Sequence, residues 1–223
     1  MKKLESSLIN MLLVLVSVAV ISGALLAWVN HVTAEPVRVQ EELTLANGIK
    51  KVMGTELLTV VSDDTLKATF DNKEFSFVVH KTNDANGQFI GAAIESTTLG
   101  FGGDMKILVG FDKKGELTGY TVLQHAETPG LGAKADTWFQ EGGKGCIVGR
   151  QLDVNAPLTV NKDGGDVDAI TASTITSRAF LKAINNAYAV YARQDAAPKK
   201  EVDAHTGATK NTSNHTQQST TNQ

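Results

Sequence analysis

Residues Leu8–Val29 are 22 consecutive positions whose only strongly polar member is Asn10. As a helix at 1.5 Å per residue, the segment reaches about 33 Å, enough to cross a hydrocarbon layer of about 30 Å. This one feature divides the chain into a part made for lipid and a part made for water. A cleaved signal peptide is the competing reading, because Val32-Thr33-Ala34 offers small residues near a cut. The apolar run is longer than the roughly 7–15 residues of a signal core, which predicts a retained anchor. Lys2 and Lys3 precede the run, and the first charge after it is Glu35. The positive-inside rule then puts residues 1–7 in the cytoplasm and the bulk of the chain on the other side. Trp28 at the outer end suits an interfacial aromatic.

The far end has the opposite chemistry. From Asn211 to Gln223 every residue except His215 is Thr, Ser, Asn or Gln. Nothing there can bury apolar area, so the chain from about Pro198 onward is predicted to be disordered. Its Asn-x-Ser/Thr triplets arise from composition. Between the two ends lies enough sequence for one core: 42% of the chain is hydrophobic, and 21 basic against 24 acidic side chains give a net charge of −3. That balance argues against nucleic-acid binding, which needs a basic face. Cys146 is the only cysteine, which excludes an internal disulfide and any zinc site with two cysteine ligands. His31, His80, His125, His205 and His215 lie far apart and form no HExxH pair, so metal-dependent hydrolysis is not expected.

The middle reads as α+β. Strand signals run through Phe75–Val79, a turn at Asn86-Gly87, and Gln88–Thr98. Asp104–Phe111 and Leu117–Gln124 flank the polar turn Asp112-Lys-Lys-Gly115, which predicts a β-hairpin. Later, Phe180, Ile184, Ala187 and Tyr191 recur at helical spacing and predict a helix with one face on a core. Residues 35–59 are expected to be a helical or irregular connector. Hairpins followed by a helix, without βαβ alternation, favour α+β over a doubly wound sheet.

Three stretches carry candidate chemistry. Gly130-Leu-Gly132-Ala-Lys-Ala135 fits the dinucleotide pattern, but no strand runs directly into its glycines and no acidic residue follows at the required distance. Gly100-Phe-Gly-Gly103 reads as a turn between strands. The whole loop His125–Lys134 is a better candidate. Its glycines allow close approach of a flat ligand, and Glu127, Thr128 and Lys134 surround apolar Leu131. A purely structural loop is the alternative. In the third stretch, hydroxyls at Thr171, Ser173, Thr174, Thr176 and Ser177 cluster where the long helix opens. Exposed amides and the positive dipole end there favour a phosphate, whereas helix capping explains only one hydroxyl.

The loop HAETPGLG and the sequence Asp168-Ala-Ile-Thr-Ala-Ser-Thr-Ile-Thr176, behind a single anchor, resemble the G subunit of the Rnf ion-translocating electron-transport complex. The C subunit of the sodium-pumping NADH:quinone reductase is a related family, and the likeness covers about residues 5–194. In that family FMN is joined through its phosphate to a threonine of the pattern D-x-x-S/T-G-A-T/S-x-T, by a flavin transferase that uses FAD. The resemblance therefore implies Thr176 as the covalent FMN acceptor, with Asp168, Thr171 and Thr174 in the same motif. Glu127, Thr128, Leu131, Gly132 and Lys134 would lie against the flavin. Ala172 and Ser173 depart from the pattern, which has Gly and Ala there. If position 172 needs positive φ, alanine carries a conformational cost. The tail also holds Asp203–Asn211, with Gly207-Ala208, but its acceptor position is Asn211, which has no hydroxyl.

The expected organisation is a cytoplasmic N-terminus (1–7), a transmembrane helix (8–29), a connector (30–70), an FMN-binding domain (71–194) and a disordered tail (195–223). By resemblance, the chain is an electron-relay subunit of an ion-translocating ferredoxin:NAD+ oxidoreductase rather than a stand-alone catalyst, with its FMN domain on the periplasmic side of a bacterial inner membrane. The implied partners are the other subunits of the complex, the flavin transferase and membrane lipid. The alternatives are the quinone-reductase subunit or a tethered non-redox binding or assembly module.

Overall fold

The computed structural model describes residues 8–196. The expected segment 1–7 and the tail beyond Ala196, including the second motif at 203–211, lie outside the described residues.

Five strands form one antiparallel meander: β1 (Leu58–Phe70), β2 (Lys73–Asp84), β3 (Phe89–Leu99), β4 (Asp104–Asp112) and β5 (Leu117–Gln124), each paired with its sequence neighbour. Because side chains alternate along a strand, the sheet has two different faces. One carries Phe77, Val79, Ile94, Ile107, Val109 and Phe111, all fully buried beneath the helix α3 (Thr174–Ala196). The stripe Phe180, Ile184, Ala187 and Tyr191 faces this core, as its spacing predicts. The opposite face carries Ala93 and Leu108, with the charged residues His80, Glu95 and Lys106 beside them.

The helix α1 (Leu8–Met53) docks on that second face by its last turns alone. Ile49 and Val52 are buried against Ala93 and Leu108. Side chains must be small where the helix lands: a methyl group at Gly110 would fall 2.5 Å from the Val52 carbonyl oxygen. Thr118 Oγ1 donates to that same carbonyl at 2.6 Å, partnering a group the helix end leaves free. Gly54, at φ +66°, then ends the helix in the left-handed conformation. From Leu8 to Val29 the apolar side chains are exposed on every side of the helix, the distribution expected where lipid is the solvent. This is the one helix among the described residues long and apolar enough to cross a membrane.

The connector expected over 30–70 needs correction. Residues 30–53 continue α1 without a break, through Pro36, and 58–70 are an edge strand of the sheet. The folded unit therefore begins at the end of α1, ahead of residue 71. Strand β1 has only a half-buried face (Leu66, Ala68, Phe70) and carries Ser62, Asp63 and Asp64, so its apolar alternation is weak.

Candidate functional site

The site forms where the chain leaves β5 and where it enters α3. A set of aromatic contacts brings these two places together. Phe139, just after the short helix α2 (Ala135–Trp138), stacks on Phe180 of α3 at 4.5 Å between ring centres. Tyr120 of β5 donates its hydroxyl to the Ala135 carbonyl at 2.7 Å and accepts the Phe139 N–H at 3.2 Å. Burial pushes this phenol's pKa well up, keeping it a neutral donor. Trp138 Nε1 donates to the Asp168 carbonyl at 2.8 Å, tying the loop after β5 to the segment that opens α3.

Between them lies a cleft of about 410 Å³ lined by Phe101, Glu127, Thr128, Leu131, Gly132 and residues 172–176. At its base Thr176 Oγ1, 1% exposed as a residue, donates to Glu127 Oε2 at 2.8 Å. The other carboxylate oxygen, Oε1, accepts the backbone N–H groups of Phe101 at 2.7 Å and Gly102 at 3.2 Å. Glycines surround this carboxylate. A methyl group at Gly132 would fall 2.2 Å from Glu127 Oε2 and 2.9 Å from Thr176 Oγ1, and one at Gly100 would fall 2.1 Å from Oε1. The space left by these glycines is filled by Glu127.

The start of α3 gives its hydroxyls different partners. Ser177 accepts the Ile170 N–H at 2.9 Å and donates to the Ser173 carbonyl at 3.0 Å, locking the turn. Thr174 Oγ1 accepts Lys162 Nζ at 3.0 Å. Thr171 is exposed. Thr176, in the first turn of α3, is the hydroxyl held against a carboxylate. Ala172 has φ +62°, so the position where the family pattern has glycine does require a left-handed backbone here.

Of the residues singled out from the sequence, Glu127, Thr128, Leu131, Gly132, Thr174 and Thr176 line one cleft. Asp168, Thr171 and Lys134 do not line it. The Asp168 carboxylate instead accepts Asn161 Nδ2 at 2.6 Å, and Lys134 is exposed at the end of a short turn. Gly100–Gly103 is the turn between strands that its sequence predicts, but the sequence reading gave it no part in the site, where it supplies Phe101 to the cleft and two amides to Glu127. Its glycine density was the available signal. Phe101, Leu131 and Ile175 are 69%, 41% and 55% exposed and leave an apolar rim around the polar base.

A second polar cluster lies on the α1 face of the sheet. His80 Nδ1 faces Asp63 Oδ1 at 2.7 Å and Nε2 faces Glu95 Oε1 at 2.9 Å. Lys106 Nζ pairs with the other Glu95 oxygen. Burial alone would lower the histidine's pKa, but the hydrogen bonds to Glu95 and Asp63 outweigh it and raise the value. For Glu95 burial acts upward, and His80 and Lys106 more than offset it, leaving the carboxyl below its usual range.

The chain is similar to known proteins in both sequence and fold. The sequence profile of the FMN-binding domain family matches residues 100–189, the stretch that contains both halves of the cleft. The G subunit of the ion-translocating oxidoreductase complex of Aliivibrio fischeri strain ES114 is 39% identical over 155 residues, covering 61% of this chain and 73% of that protein. Its counterpart in Vibrio vulnificus is 34% identical over 177 residues, covering 73% and 79%. The chain belongs to this G-subunit family. Among solved structures, Shewanella oneidensis NqrC superposes with a TM-score of 0.53 at 16% identity, covering 71% of this chain and all of that one. At that identity the likeness is one of fold, and the fold class is α+β as its hairpins imply. Like its relatives in the G-subunit family, the chain is a subunit of a redox complex.

Proposed function

We propose that this subunit is a membrane-anchored electron relay that carries FMN as a phosphoester on Thr176, within a complex moving electrons between ferredoxin and NAD+ and coupling them to ion translocation. The observation that carries the reading is the Thr176 hydroxyl at the base of the cleft, inside the stretch matched by the FMN-binding domain. The residues fit the group. A cleft of about 410 Å³ lies within the range of roughly 300–1,000 Å³ usual for cofactor sites. Its polar base would take the phosphate, and the exposed faces of Phe101, Leu131 and Ile175 would take an aromatic ring.

Bound FMN supplies electron-transfer chemistry, tuned by the hydrogen bonds and charges around it. The chain's own contribution is position. The free amides and dipole at the start of α3 favour an anion on Thr176. Thr128 and Thr174 offer hydroxyls on the walls, and α1 holds the domain beside the bilayer. With residues 8–29 as a retained span and Lys2 and Lys3 inside, the flavin would lie on the periplasmic side. There a covalent link keeps the cofactor in place. Such a subunit works with the other members of its complex, and during maturation with a flavin transferase that uses FAD. Asp168, Thr171 and Lys134, outside the cleft, then belong to the surface the transferase reads. Thr176→Val keeps the side-chain shape and removes the hydroxyl. Co-expressed with the transferase, this variant should lose flavin fluorescence in a denaturing gel, and a band as bright as wild type would refute the attachment.

A further inference from the structure

We propose that Glu127 is the general base of Thr176 flavinylation, supplied by the acceptor protein itself. The inference rests on the assignment of Thr176 as the acceptor. A threonine hydroxyl is a weak nucleophile unless a neighbouring group takes its proton. Three observations give Glu127 that place. Its Oε2 lies 2.8 Å from Thr176 Oγ1, within the reach a base requires. Its Oε1 is fixed by two backbone amides, of Phe101 and Gly102, so Oε2 is left aimed at the hydroxyl. Gly100 and Gly132 leave the room that the carboxylate fills, and a methyl group at either would collide with it. Nucleophile, base and a group orienting the base thus stand in sequence, the arrangement by which activated hydroxyls are recognised.

The step balances. FAD is the donor, brought by the transferase. The bond from Thr176 Oγ1 to the phosphorus of the FMN half forms, and the phosphorus–oxygen bond to AMP breaks. The hydroxyl proton passes to Glu127 Oε2, and AMP leaves with the bonding pair. The ester oxygen has no proton, so the 2.8 Å hydrogen bond cannot persist in its present form.

Initial rates of FMN incorporation into the full-length chain in detergent, followed by intact mass with purified transferase and FAD, test this. Glu127→Gln keeps the side-chain length and an oxygen to accept the Phe101 and Gly102 amides, but cannot take the proton. It should lose about 100-fold or more in kcat while KM for the acceptor chain stays within about threefold. Glu127→Asp, shorter but still a base, should turn over faster than Glu127→Gln. A structural role predicts the reverse order, because glutamine preserves the contacts that aspartate shortens, and this ordering holds even if both variants lose stability. Glu127→Gln within about threefold of the wild-type kcat, a loss confined to KM, or Gln faster than Asp would each overturn the proposal. Peptide mapping of the wild-type product separates the two claims. FMN on Thr176 with a fast Gln variant removes only the base, whereas FMN on another residue removes the attachment site and the base with it.

Discussion

The domain holds two polar clusters on different parts of its scaffold, each around a buried carboxylate, and they are built to opposite ends. In the cluster of His80, Asp63, Glu95 and Lys106, formal charges are matched. Both histidine nitrogens face carboxylate oxygens, an arrangement that favours the doubly protonated ring. In the other, Glu127 has a neutral hydroxyl and two amides for partners, no cation among its hydrogen bonds, and a cleft at its side. Both clusters border a cleft of about 410 Å³, so the difference between them is charge: Glu95 faces His80 and the Lys106 ammonium, whereas Glu127 faces a hydroxyl and two amides.

Substitutions should therefore separate stability from flavinylation, and the largest stability effect should come from the first cluster. Glu95→Ala leaves His80 and Lys106 without their shared carboxylate and should cost roughly 3–5 kcal/mol, read by thermal or urea unfolding of the detergent-solubilised chain. Those molecules that remain folded should still accept FMN. Loss of flavinylation in excess of loss of fold would show that the clusters are coupled.

Gly132→Ala should do the converse. Its methyl group would displace the Glu127 carboxylate, costing about 1–3 kcal/mol as overpacking but slowing flavinylation far more than that loss of fold accounts for. A variant modified at the wild-type rate would show that the carboxylate's placement is unimportant.

A smaller effect is the pH dependence of the first cluster. His80 is raised above its ordinary value of 6.5, so its pairing contributes fully below about 6.5 and is lost as pH rises through the folded-state value. Glu95 lies below its ordinary 4.5, so its contribution is present above about 4.5 and is lost as pH falls through the lowered value. The Tm difference between wild type and His80→Gln should be widest between those limits and narrow toward pH 9. A difference that does not change with pH would mean that the ring is neutral in the folded protein.

The smallest effect belongs to Ala172. An alanine at φ +62° costs about 1–2 kcal/mol, and glycine's extra unfolded-state freedom returns roughly 0.4–1 kcal/mol of that. Ala172→Gly should thus stabilise the domain by about 0.5 kcal/mol, a small rise in Tm. A fall in Tm would mean that the turn is not strained.

How much of this was legible in the sequence depended on the range of the contact that decides each element. The hairpins around Asn86-Gly87 and Asp112–Gly115, the α3 stripe and the lipid-facing run are written in local pattern, and the structure has them where that pattern puts them. Strand β1 was lost to the connector because its polar face masks a half-buried one, and only pairing with β2 makes it a strand. The contact between Thr176 and Glu127 joins residues 49 positions apart, beyond any periodicity. Resemblance put both residues at one site but not in contact. The glycines of the loop were assigned to a ligand, and the structure gives the space at Gly132 to a side chain of its own loop. Lys134 and Asp168 entered the site by their place in the motifs and lie outside the cleft.

The central claim is that the flavin is carried by Thr176, and mapping its linkage tests it most directly. The full-length chain, co-expressed with a flavin transferase, is digested and each peptide is tested by mass spectrometry for a phosphate-linked FMN. The expected result is the FMN mass on the peptide containing Thr176, its absence in Thr176→Val, and unchanged loading when the chain is cut after Pro198. FMN on a tail peptide carrying Thr209 or Thr212, with Thr176→Val still fully loaded, would contradict it.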